Sequence, residues 1–168
     1  EQITSAHISP SQLLEAEPSV RSPFDHNDDT RFIRGLVIHR LLESLPNVAP
    51  EKRLRVTFRY LERPIHGLNK EEQSTIATEV LTIMEDPKFK TLFGPRSFSE
   101  VPINGTINGC IVSGRIDRLA ITDRKITIID YKTNRPAPKK VTSVSPLYLE
   151  QMATYRTLLR EVYPSRKV

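Results

Sequence analysis

Three charged side chains stand where an apolar pattern would be expected to continue. Asp130 and Lys132 close the run Ile126-Thr127-Ile128-Ile129, and Asp117 follows Gly114-Arg115-Ile116 a little earlier. In an extended strand alternate residues share a face, so Asp130 and Lys132 project together at the edge of the core that the isoleucines enter. If the two runs pair as neighbours, Asp117 can approach Asp130. Two carboxylates at short range repel, and a divalent cation between them relieves the repulsion. Oxygen ligands of this kind suit magnesium or manganese. Such a group can cut a phosphodiester: the metal polarises the phosphate and lowers the pKa of a bound water. A lysine can orient that water and offset charge developing on phosphorus. The plainer reading of the same three residues is an ion-paired hairpin.

The elements that must position these residues follow from patterning. Residues 1–30 are rich in Ser, Pro and acids and read as a linker or arm, leaving 31–168 as the domain. A helix is expected from Thr30 to Leu45, with Phe32, Leu36, Ile38, Leu41, Leu42 and Leu45 on its apolar face and Pro46 ending it. A second runs from Pro50 to Leu61 with Leu54, Phe58 and Leu61 on one side. A third starts at an Asn69 cap and buries Ile76, Val80, Ile83 and Met84. Asp86-Pro87 opens a short helix that ends at Gly94. Strands then follow: Arg96 to Ile103, Cys110 to Ile121 and Lys125 to Lys132. Asn104-Gly105 and Asn108-Gly109 read as turns, and Thr122-Asp123-Arg124 joins the last two strands. Thr133 to Ser145 reads as a loop, and Ser145-Pro146 caps a final helix to about Tyr163.

Composition narrows the class. A chain of 168 residues suits one domain with a real core. No apolar run approaches the roughly 20 residues that span a bilayer, and the first residues lack a signal-peptide pattern. A net charge of +5 and a pI near 9.5 are compatible with a polyanionic partner. The single cysteine, Cys110, rules out an intrachain disulfide and argues against a cysteine-ligated zinc or iron–sulfur centre. The cytoplasm is the natural compartment. Glu1 in place of Met points to a segment of a longer chain.

Taken together, Gly114-x-x-Asp117, Asp130-x-Lys132 at the end of an apolar strand, and Gln151-x-x-x-Tyr155 on the next helix resemble the signature of RecB-like nucleases in the PD-(D/E)XK superfamily. Asp130-Tyr131-Lys132-Thr133 is close to the form in the RecB and AddA subunits of bacterial end-resection machines. The resemblance implies an α/β fold with a restriction-endonuclease-like core: a central mixed sheet flanked by helices, extra helices in front, and a last strand of which only Arg166 to Val168 remain. It implies that Asp117 and Asp130 ligate the metal with the Tyr131 carbonyl, that Lys132 is catalytic, and that His39 in Gly35-x-x-x-His39 is a further ligand. A partly buried helix histidine is the alternative for His39. Glu100 falls where relatives often carry an acid on the first strand, as a site residue or a solvated edge glutamate.

Gln151 and Tyr155 share a helical face; the resemblance implies contact with DNA, and core packing is the alternative for Tyr155. Arg135, Lys139 and Lys140 would meet phosphates or sit in a solvated loop. The implied activity is a magnesium-dependent deoxyribonuclease, manganese being an alternative metal, without an iron–sulfur cluster. It would cut single-stranded DNA delivered by a helicase domain of the same parent chain, during double-strand break resection for recombinational repair. The implied assembly involves no membrane and includes an AddB-like or RecC/RecD-like partner subunit. No Gly-x-x-x-x-Gly-Lys-Ser/Thr loop is present, so ATP hydrolysis is not expected of this segment. The rival readings are a catalytically silent DNA-binding scaffold and a stand-alone restriction-type endonuclease.

Overall fold

A computed structural model describes residues 7–8 and 27–168 of the chain. The architecture is mixed α/β, as the resemblance implies, and it divides into two compact units. One unit is helical and comprises residues 27–97 with Tyr131–Thr133. The other holds the sheet and comprises Phe98–Asp130 and Asn134–Val168 with residues 7 and 8.

The helical unit contains α1 (Asn27–Ser44), α2 (Pro50–Leu61) and α3 (Lys70–Glu85). Pro50 sits in the first turn of α2, where its missing N–H costs nothing. A reciprocal capping box opens α3: Asn69 Oδ1 accepts from Glu72 N at 2.9 Å, and Glu72 Oε2 accepts from Asn69 N at 2.8 Å. The core is built on Val37, Ile38, Leu41, Leu42 and Leu45, with Leu61 and with Ile76, Ala77, Val80 and Met84 from α3. Each buried leucine or isoleucine contributes about 1.5–3 kcal/mol over an exposed one. The apolar face of α1 is rotated from the expected one, because Phe32 and Leu36 are 75% and 61% exposed. The inward stripe follows the 37/41/45 and 38/42 rows, and Leu36 lies about 100° away from Val37. Leu54 and Ile83 are likewise exposed, and Thr57 is buried in their stead on α2.

The sheet unit contains β1 (His7–Ile8), β2 (Ser97–Ile107), β3 (Cys110–Ile121), β4 (Ile126–Ile129) and α4 (Pro146–Val162). β3 is central, with β2 on one side. Its other side takes β1 in parallel, His7 opposite Ile111, and β4 antiparallel, Ile121 opposite Ile126. Residues 7 and 8 lie in the sheet and 27–30 in α1. His26 and the rest of 1–30 lie outside the described residues. Asn108 (φ 50°) and Gly109 (φ 78°) make the β2–β3 hairpin turn that their dipeptide predicts. Thr122 N donates to Lys125 O at 2.8 Å, and Thr122 Oγ1 accepts from Lys125 N at 2.9 Å, closing the β3–β4 turn.

Two sequence expectations give way here. Asn104-Gly105 is strand, not turn: Asn104 Oδ1 accepts from Ser113 Oγ at 2.6 Å across the hairpin. Gly105 is glycine because a Cβ there would lie 2.5 Å from Leu158 of α4. β4 stops at Ile129 rather than Lys132. At the chain's end Lys167 forms a parallel bridge to Lys125, with Ile126 N donating to Lys167 O at 2.7 Å and Lys167 N to Arg124 O at 3.0 Å. The expected further strand is represented there by this single bridge. The core of the unit joins Ile103, Val112, Ile116, Leu119 and Ile126 to Tyr155, Leu158 and Leu159 of α4.

Candidate active site

The sheet unit places the two carboxylates by register. Its last ladder pair at that end of the hairpin is Arg118 with Ile129. Extended by one residue along each chain, that register would set Asp117 of β3 opposite Asp130, which lies just past the end of β4. Cross-strand partners share a face, and the next pair on that face, Leu119 with Ile128, enters the core. Asp117 and Asp130 are each half-buried. The acids thus continue an apolar row to its edge, where a charged group keeps access to water.

The helical unit places the segment after Asp130. The expected strand ends here because its backbone acceptors are taken by side chains of α1. His39 Nε2 lies 2.8 Å from Tyr131 O, and the two rings meet edge to face at 5.5 Å. Arg34 Nη1 donates to Thr133 O at 3.4 Å and its other nitrogen is ion-paired with Glu79. Burial pushes the pKa of the Arg34 guanidinium down. A Cβ on Gly35 would stand 3.0 Å from Thr133 Oγ1. Both carbonyls flanking Lys132 are therefore held by α1, while Lys132 itself is exposed. Arg34 and Glu79 were not found by sequence reasoning. Their contacts span 99 residues, Arg34 to Thr133, and 45 residues, Arg34 to Glu79.

Glu100 on β2 has a left-handed backbone, φ 54°, a strained conformation for a residue with a side chain. Its carboxylate accepts from Arg115 Nη1 at 3.4 Å. Arg118, beside Asp117, is buried, and nothing in the pattern of charges announces this.

Gln151 and Tyr155 are both buried. Tyr155 is 0% and Gln151 4% exposed. The Tyr155 hydroxyl donates to Arg115 O at 3.1 Å and accepts from Gln151 Nε2 at 3.3 Å. Gly114 makes room: a Cβ there would lie 2.8 Å from the Tyr155 ring and hydroxyl. The pair fixes the course of β3 two residues before Asp117. Arg135, Lys139 and Lys140 are exposed on the loop before α4.

Among the described residues, no three of His, Cys, Asp and Glu are gathered into a cation cage. Of the predicted ligands, His39 meets the Tyr131 carbonyl within the helical unit, while in the sheet unit Asp117 and Asp130 each stand one residue beyond the last ladder pair, Arg118 with Ile129. This donor set fits a hard cation of the magnesium type, which keeps several waters and needs only one or two carboxylates.

A mixed α/β core, paired acids at a strand end and an exposed lysine two residues on are features of one nuclease class. The profile described as the PD-(D/E)XK nuclease superfamily matches residues 13–168, and the chain belongs to that superfamily. It is also similar to an ATP-dependent helicase/nuclease protein of Oenococcus oeni, 28% identical over 120 residues. That match covers 71% of this chain and 10% of the relative, so the chain spans about a tenth of its length. No helix among the described residues is long and apolar enough to cross a membrane.

Proposed function

We propose that this chain is a metal-dependent deoxyribonuclease domain that hydrolyses phosphodiester bonds in single-stranded DNA. The observation that supports the reading is the β3–β4 register, Arg118 opposite Ile129, whose continuation would carry Asp117 toward Asp130. Asp117, Asp130 and the Tyr131 carbonyl are the proposed ligands, with His39 as a fourth. His39 would exchange its contact with Tyr131 O for the ion, its Nε2 deprotonated. A bound magnesium or manganese ion would supply Lewis acidity at the phosphate and acidify the attacking water. The chain's own residues do the rest. Lys132 holds the water by hydrogen bonding and offsets negative charge on phosphorus. Its position is set by His39 and Arg34, which grip the carbonyls on either side. As the water oxygen bonds to phosphorus, the bond to the leaving oxygen breaks and that oxygen takes a proton.

The likeness to a helicase/nuclease protein supports a setting in which a helicase motor of the same parent chain feeds a strand to this domain. We assign it to cytoplasmic double-strand break resection for recombinational repair, beside an AddB-like or RecC/RecD-like partner subunit. The test is incubation of the chain with single-stranded DNA, with and without magnesium, beside the Asp130→Ala variant. Magnesium-dependent cleavage lost in the variant is the expected result. Equal cleavage by both would remove the assignment.

A further inference from the structure

The second helix carries a feature that the proposed active site does not use. Lys52, Arg55 and Arg59 are all exposed on α2. Their spacing of three and four residues puts them within about 60° of arc and along about 10 Å of helix axis. Arg63 follows one turn further on, its guanidinium 5.1 Å from the centre of the Tyr60 ring. Among the described residues, none of these four cations is in an ion pair. The helix carries one acid, Glu51 in its first turn, and Glu62 just beyond its end is occupied by Lys70 at 2.9 Å. The stripe is thus a row of unneutralised charge on a rigid support. Left alone, it repels itself and costs stability.

We propose that this face of α2 is a track for the phosphate backbone of a single nucleic-acid strand; the proposal rests on the reading that the chain acts on DNA. Charge complementarity selects a polyanion. Spacing suits one strand: successive cations step about 4.5–6 Å along the axis, within side-chain reach of consecutive phosphates of a single backbone. Guanidinium groups suit phosphate because their planar fork donates two bonds at once.

The test compares two charge-matched triple variants of the 168-residue chain. One is Lys52→Gln/Arg55→Gln/Arg59→Gln. The other removes three exposed cations elsewhere, Lys88→Gln/Lys90→Gln/Arg124→Gln. Binding of a fluorescent oligothymidine is measured by anisotropy in EDTA, across a salt series, with a duplex of equal length alongside. Each lost phosphate contact should lower the slope of log K against log salt by about 0.7, so the stripe variant should lose about 2. Its single-strand affinity at about 0.1 M salt should fall at least tenfold, with the duplex less affected and the control variant close to wild type. A stripe variant that binds like the control would overturn the proposal and leave the face to another partner, such as an acidic protein surface. An equal loss on duplex would overturn the single-strand assignment. The nuclease reading stands apart: it depends on Asp130-dependent cleavage by the wild-type chain, which this binding assay does not measure.

Discussion

The two units contribute to the proposed chemistry in different ways. In the sheet unit, the proposed meeting of Asp117 and Asp130 depends on continuing the strand register, a short-range device that needs one tight turn and an alternating pattern. In the helical unit, Tyr131–Thr133 is placed by side chains of α1 that reach across more than 90 residues of sequence. The sheet unit therefore carries one acid within a strand, Asp117 of β3, and the other, Asp130, one residue past the end of the ladder. The helical unit presents the lysine from a segment outside any ladder, held by its carbonyls. Register is robust and imprecise about what lies past its end; the α1 contacts are specific and depend on a few residues.

The comparison can be broken most sharply at its chemical centre. Asp130→Ala and Lys132→Ala should each lower magnesium-dependent cleavage by about 1000-fold or more, with melting temperatures within a few degrees of wild type. Normal cutting by either would mean that one of the two placements serves no reaction. Gly114→Ala should destabilise the sheet unit by about 1–3 kcal/mol, because the new methyl meets the Tyr155 ring in a packed core; denaturant unfolding measures this. Tyr155→Phe should cost about 1 kcal/mol for the bond to Arg115 O and leave single-strand affinity within twofold. A large affinity loss without a stability loss would support the DNA-contact role for Tyr155. Smallest, Glu100→Gly should raise stability by up to about 1 kcal/mol by relieving the left-handed backbone. If the same change lowers cleavage, the strain belongs to the site.

What could be read in advance was local. The Asn69–Glu72 capping box, the Asn108-Gly109 turn and the antiparallel pairing of β3 with β4 each depend on residues close in sequence or joined by one turn. What could not be read depends on neighbours far along the chain. Gly105 looks like half of a turn dipeptide until Leu158 is seen against it. The strand pattern runs on to Lys132, and only His39 and Arg34 explain why the ladder stops at Ile129. Phe32 and Leu36 fit a helical period as well as Val37 does, and packing against α3 decides between them. Tyr155 fits both a core stripe and a binding face, and Gly114 tips it inward.

The account rests on a cation shared by Asp117 and Asp130. Calorimetric titration of manganese into the wild-type chain, Asp117→Asn, Asp130→Asn and a remote Glu71→Gln control tests it most directly. Wild type and control should bind alike, and each Asp→Asn variant should bind at least tenfold more weakly while remaining folded. Equal binding by all four proteins, or no binding by the wild type, would contradict the account.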